Sequence, residues 1–204
     1  MLNRVKQDRK AQSAATAPLT FEYSFVAQRE MADGSMAEVR VKDGSVRRSG
    51  DQFQITLRAE RDCHAYVINQ DASGAAYVLF LHEEAVSNTL KGKREYALPD
   101  RDKFYELDEV VGLETFYLAV SPTPMADLEW MISRIEKLGG DGKGMVAMLD
   151  GTLKTRGART RGAGKVVSSK KKKAVLSSGN TVEQVTEIIE GKGALVRVIS
   201  LDHR

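Results

Sequence analysis

Cys63 and His64 set a thiol beside an imidazole, the two groups of a cysteine nucleophile and its base. A strand turns neighbouring side chains to opposite faces, so this pair cannot readily meet. His82 and His203 are the other histidines that could serve as base. An inert, partly buried thiol is the better reading. His82, Glu83 and Glu84 open like a helical zinc-protease motif, but Val86 stands where the second histidine belongs. A three-histidine zinc site would need His64, His82 and His203 to converge; otherwise they are ordinary surface or strand-edge histidines. Gly164 and Lys165 precede Val166 rather than Ser or Thr, and Arg159 occupies the place of the first glycine. Gly142 and Lys143 precede Gly144. Neither run is a nucleotide loop. Asp100 and Asp102, then Asp108 and Glu109, could hold calcium loosely but lack a full loop of oxygen ligands. The chain therefore offers no catalytic residue, no metal site and no cofactor, and an unrecognised hydrolase is the least favoured reading.

The remaining candidates are contacts rather than reagents. Asn69, Gln70 and Asp71 run into Gly74, where Asn and Asp bond back to their own backbone and glycine relieves the turn. They serve either as a folding hairpin or as ligand contacts. Glu114 is a carboxylate inside an apolar strand, costly to bury unless paired. It is expected to face solvent or to make a fixed hydrogen bond near Ser121, with a ligand contact as the alternative. Trp130 lies off the apolar stripe of a helix, and is expected to pack under a neighbouring loop or, if exposed, to mark a partner surface. Lys154, Arg156, Arg159, Arg161, Lys170, Lys171, Lys172 and Lys173 could neutralise phosphates without reading sequence. No aromatic residue lies between 151 and 204, so base stacking from this strip is excluded. A solvated linker is the simpler account.

These residues need elements to hold them. Phe21, Tyr23 and Phe25 alternate with polar residues, the period of a half-buried strand. Residues 36–41 form a second candidate. Phe53, Ile55 and Leu57 mark a third, and 64–69 with 76–81 read as a hairpin in which Tyr66 and Ile68 face the core while Val67 and Asn69 face out. Strands follow at 94–98 and 104–107. Residues 113–120 are apolar enough for burial on both faces. Ser121 to Pro124 give a cap and a first-turn proline. Met125, Leu128, Ile132, Ile135 and Leu138 then repeat at three and four, and Gly139 and Gly140 end the helix. A weaker helical stretch covers 145–153. Residues 185–189 favour a strand, and 194–201 a final one. The pattern predicts a mainly β chain: an antiparallel β-sandwich-like domain with one edge helix and a disordered basic insertion. Its parts are a flexible tail at 1–18, one domain over 19–150 plus 184–204, and a basic low-complexity loop at 151–183.

Charge sharpens this division. The chain of 204 residues holds 31 basic and 28 acidic residues. Nine of the basic ones, Lys165 and the eight above, fall between 151 and 182 with no acidic residue among them. A mildly acidic body thus carries one basic strip. A single cysteine excludes an intramolecular disulfide. No apolar run approaches the roughly 18–20 residues of a membrane span. The first 17 residues are polar and basic, unlike an intact secretory signal, which leaves a cytosolic chain or a signal not present here.

Several motifs keep a recognisable order. Gly50-Asp51-x-Phe53 opens a strand. Tyr66 to Asp71, with Gly74, forms a hairpin that Leu79 and Phe80 close. Tyr96-x-Leu98-Pro99, Phe104-x-x-Leu107, Gly112-x-Glu114 and Ser121-Pro122 follow. This order resembles the bacterial domain of unknown function 4384 family over residues 50–128. Leu81 replaces the proline usual after Leu-Phe, and Cys63 and His64 stand where small or polar residues are usual. The resemblance implies an accessory module rather than an enzyme, found alone, often behind export or lipoprotein signals, or joined to caspase-like peptidase or kinase domains. It implies a non-enzymatic binding or assembly module acting through contacts with an unknown protein partner, in the periplasm or another extracytoplasmic place, or in a signalling complex. A cytoplasmic chain that binds nucleic acid or another polyanion through the basic strip is the alternative.

Overall fold

The computed structural model describes residues 17–39, 41–80, 88–138, 148, 151–152, 162–175 and 181–204. Among these, the chain forms two seven-stranded sheets packed face to face, with one long helix outside them. The first sheet is built on β1 (Leu19–Glu30) and β4 (Gln52–Ala59), the alternating segments of the sequence. β13 (Thr181–Gly191) and then β12 (Lys165–Val175) extend it on the β1 side, and β8 (Glu95–Leu98) on the β4 side. β2 (Met36–Val39) pairs with the later part of β1, and β9 (Tyr105–Glu106) with the start of β4.

The second sheet centres on β10 (Gly112–Ser121), flanked by β5 (Cys63–Gln70) and β14 (Leu195–His203). β6 (Ala76–Val78) and β7 (Thr89–Leu90) pair with β5. β11 (Gly162–Ala163) and β3 (Ser45–Arg47) pair with opposite ends of β14. The β3–β14 pair is parallel, so the sandwich is antiparallel everywhere but there.

Side chains alternate across each strand, and the inner faces of both sheets meet in one core. Phe116 is its hub, edge-on to Phe25 and Phe53 at ring-centroid distances of 5.3 Å. A second core lies on the outside of the second sheet, under α1 (Ala126–Leu138). There Met125, Leu128, Met131, Ile132 and Ile135 cover Tyr66, Ile68, Tyr117 and Ala119 toward the β6 edge. Two layers thus enclose β5 and β10, and the run expected to be buried on both faces is so from Glu114 to Val120, while Leu113 at its start is 59% exposed. The same arrangement corrects one expectation: Val67 does not point out but fills the inner core, while Tyr66 and Ile68 face the helix.

α1 begins after two prolines and carries Asp127 and Glu129 in its first turn and Lys137 in its last, the signs that suit the helix dipole. Tyr66 fastens it to the sheet: its hydroxyl accepts from the Met125 N–H at 2.8 Å and donates to Glu129 Oε1 at 3.1 Å. The expected helix stop at Gly139 and Gly140 lies outside the described residues. Of the weaker helical stretch, residues 148 and 151–152 are described and helical. None of the described helices is long and apolar enough to cross a membrane.

The reading of 151–183 as one disordered loop is overturned for 165–175 and 181–183, which are strand residues. Lysine-rich composition suggested a solvated linker. An edge strand, however, packs on little and is held by backbone pairing, so it tolerates such residues. Residues 151–152 are helical and Gly162–Ala163 form β11, whereas 153–161 and 176–180 of that loop and 1–16 of the tail lie outside the described residues.

Candidate functional site

The hairpin candidates come together, and what they build is a clamp. β5 runs antiparallel to β10, which sets the end of the one beside the start of the other. Glu114 there is 4% exposed. Its Oε2 accepts from Asn69 Nδ2 and its Oε1 from the Ala72 N–H, both at 3.1 Å. Burial pushes its carboxyl above the ordinary range, against the pull of these two donors. Ser121 sits at the far end of β10, so the hydrogen bond expected near it forms at the hairpin instead. Asp71 closes the turn, with Oδ1 accepting from Ser73 Oγ at 2.7 Å and the Ala75 N–H at 2.8 Å. Gly112, at φ +147°, lets Ala72 approach so closely that a Cβ there would lie 2.8 Å from the Ala72 Cβ. Gln70 is half-buried on the helix side of the sheet and takes no part in the clamp.

A similar anchor sits at the start of β4. Asp51 is almost fully buried and takes both Arg29 donors, Nη2 at 2.6 Å and the closer Nε, together with the Arg48 N–H at 3.1 Å. Burial raises its carboxyl, but these donors outweigh burial and hold it below the usual range.

Cys63 and His64 do turn to opposite faces. Cys63 is buried in the inner core, which pushes its thiol up to about 12, while His64 Nδ1 meets Asn88 Oδ1 at 3.1 Å. His64 and His203 lie at opposite ends of the second sheet, paired with Ser121 and Gly112 respectively, and His82 lies outside the described residues. No group of three metal-binding side chains occurs among the described residues. One pair that sequence reasoning missed is Ser49 Oγ with His203 Nε2, 3.0 Å apart. The two are 154 residues apart, so no local spacing reveals them. A serine relay also needs a group that orients the imidazole through Nδ1. The buried Nδ1 of His203 has no hydrogen-bond partner among the described residues.

Trp130 is 47% exposed rather than packed under a loop. It lies on the outward side of α1, with the Arg134 guanidinium 5.3 Å from its ring centre.

The basic candidates divide. Lys154, Arg156, Arg159 and Arg161 lie outside the described residues. Lys170, Lys171, Lys172 and Lys173 stand in register on β12, opposite Thr186, Val185, Gln184 and Glu183 of β13. Nothing is described of the side chains of Lys172 and Lys173; those of Lys170 and Lys171 are exposed. Among the described residues β12 is the outermost strand of its sheet, eleven residues long and paired with β13 alone. Beside the lysines, Val166 and Val167 are 40% and 42% exposed, at a register shift between Val166 and Ser168. A strand edge of this length is the kind of template on which a further strand can add.

The motif residues and this edge belong to different parts of the chain. Residues 46–124 match the family model described as a domain of unknown function (DUF4384). That segment is similar to this family. No curated protein and no solved structure matches the chain. The DUF4384 match runs from β3 to just before α1. The motifs within it carry the Asp51 anchor, the Asn69–Glu114 clamp and the Tyr66 tie to the helix. β12, with its lysines, lies beyond the DUF4384 segment.

Proposed function

We propose that the chain is a non-enzymatic binding module that acts through protein contacts, in the bacterial envelope or a signalling complex, and that β12 is the docking edge. The observation that carries this reading is an eleven-residue edge strand whose only strand partner among the described residues is β13. Main-chain hydrogen bonds along such an edge give affinity, and alternate side chains give selectivity. The polar motifs within the DUF4384 segment support the same reading, since the structure employs them in anchoring turns and the helix.

Proline scanning of the edge tests it. Neighbouring strand residues aim their N–H groups to opposite sides. Of Ser169→Pro and Lys170→Pro, one removes a bond to β13 and the other blocks only the open edge. The full chain and both variants, each checked for native circular dichroism, are used to capture partners from a bacterial envelope extract at low and moderate salt. A protein retained by the full chain and lost with the edge-blocking variant is expected. Equal capture by all three, or recovery of nucleic acid alone, would overturn the proposal in favour of another surface or of polyanion binding. Cell fractionation with an antibody to the chain tests the envelope placement; a wholly cytoplasmic signal would remove it.

A further inference from the structure

We infer that the turn joining β3 to β4 is a receptor for a phosphoryl oxyanion, with Ser49 and Arg48 as its donors. The site is independent of β12 and lies beside the Asp51 anchor.

His203 is 1% exposed and reaches Ser49 Oγ through Nε2 at 3.0 Å, while its buried Nδ1 has no hydrogen-bond partner. A neutral imidazole carries one proton, on one nitrogen or the other. On Nδ1 it would be a buried donor without an acceptor, which folded proteins avoid more strictly than a spare lone pair. The proton therefore belongs on Nε2, and His203 donates to Ser49 Oγ. Ser49 itself is exposed. With its oxygen already accepting, its hydroxyl proton is left to donate outward. The pair that looks like a nucleophile and its base is thus a chain of donors running from the core to the surface.

Arg48 adds the charge. Its side chain is exposed and makes no hydrogen bond or ion pair among the described residues. Its backbone is fixed: the Arg48 N–H donates to Asp51 Oδ2 at 3.1 Å, and the Arg48 carbonyl accepts from the Asp51 N–H at 3.0 Å. The Gly50 N–H donates to the Leu107 carbonyl at 2.8 Å. A turn held in this way spends little further entropy when its side chains take a ligand. The last residue brings a second cation, since the Arg204 N–H donates to the Arg47 carbonyl at 2.9 Å.

The charge here selects the ligand. Arg29, Arg47, Arg48 and Arg204 stand against Asp51 and Asp202, both already paired with arginine. Glu114 also acts on His203, but burial pushes its carboxyl toward the neutral form. A surplus of positive charge suits a phosphoryl dianion better than a carboxylate. A guanidinium and a hydroxyl offer its oxygens several charge-assisted hydrogen bonds. Arg48 and Ser49 belong to the DUF4384 segment and His203 to β14, so neither part holds the site alone.

Isothermal titration calorimetry of the full chain with inorganic phosphate, phenyl phosphate and acetate tests the site. Ionic strength is held constant at mildly alkaline pH, where the phosphoryl group is a dianion. At least one of the two phosphoryl probes is expected to bind about tenfold or more tightly than acetate. Arg48→Gln and Ser49→Ala should each weaken binding by about tenfold, because each removes a hydrogen bond to a charged group. Ser49→Thr keeps the hydroxyl and should restore it. Arg101→Gln removes an exposed arginine from another turn and should change nothing. Tighter binding of inorganic phosphate assigns the site to free phosphate; equal or tighter binding of phenyl phosphate assigns it to the phosphoryl group of a larger molecule. The inference fails if neither probe binds the native chain or if acetate binds as well. It also fails if Arg101→Gln weakens binding as much as Arg48→Gln, since net charge alone would then attract the anion. Should Ser49→Ala lose native circular dichroism, Arg48→Gln still decides the question, as that side chain is exposed.

Discussion

Replacing Gly112 by alanine tests whether the Gly112-x-Glu114 motif is a folding device. The new methyl carbon would lie 2.8 Å from the Ala72 Cβ, where two carbons ordinarily rest about 3.5–4.0 Å apart. Either β10 or the turn that carries Ala72 must move, and overpacking of this kind costs about 1–3 kcal/mol. The backbone adds its own cost. Gly112 has φ +147°, a conformation that side chains disfavour by about 1–3 kcal/mol. Together the losses come to about 2–6 kcal/mol, a large part of the roughly 5–15 kcal/mol that holds a typical domain folded. Urea denaturation followed by far-ultraviolet circular dichroism measures the loss. The double-mutant cycle with Ala72→Gly separates the two parts, since that change removes the facing methyl but not the backbone strain. A coupling of about 1–3 kcal/mol is expected, with Gly112→Ala remaining destabilising in the Ala72→Gly background. A loss below about 1 kcal/mol for Gly112→Ala would refute the reasoning, as would an absence of coupling.

Three further outcomes follow from the same structure. Burial raises the Glu114 carboxyl above its ordinary 4.5, so the folded chain keeps this proton to higher pH than the unfolded chain. Its contribution to stability therefore falls as pH rises from the ordinary value through the folded one; urea titrations should show wild type losing ground against Glu114→Gln across that window, and a gain would contradict the assignment. Leu128 is 1% exposed beneath α1, so Leu128→Ala should cost about 2–5 kcal/mol in denaturation, and a loss under about 1 kcal/mol would mean the helix is not docked. The Cys63 thiol, buried and pushed up to about 12, should react with Ellman's reagent only after unfolding; prompt reaction of the native chain at neutral pH would show that β5 opens there.

Much of the scaffold was legible because burial imposes a period. β1 and β4 alternate because one face of each meets the core. β10 is apolar from Phe116 to Val120 because the inner core and α1 enclose it there. The same double enclosure was missed at β5, where one tyrosine and one isoleucine already suggested a core and the opposite valine was assigned to solvent. β12 was illegible for the converse reason. Among the described residues it pairs with one strand, and its described side chains, 165–171, are exposed or half-buried, so they follow the requirements of an exposed edge and read as a loop. The clamp was half legible: the turn chemistry of Asp71 and Gly74 is local, but the carboxylate that secures the hairpin stands 45 residues from Asn69. Ser49 with His203 has no local signature at all.

The two sheets also constrain how the chain can reach its native state. Tyr23 meets Glu187 across 164 residues, and β14, among the last strands in sequence, lies between β10 and its partners β3 and β11. Such distant pairings give the fold a high contact order, and loop closure must precede the contacts that reward it, which sets folding in the millisecond-to-second regime typical of all-β domains. The DUF4384 segment supplies neither β1, β13 nor β14. Cut out alone, it would leave the inner faces of both sheets without the strands that close them. The module therefore folds as a whole, and its recognisable part is not a smaller version of it.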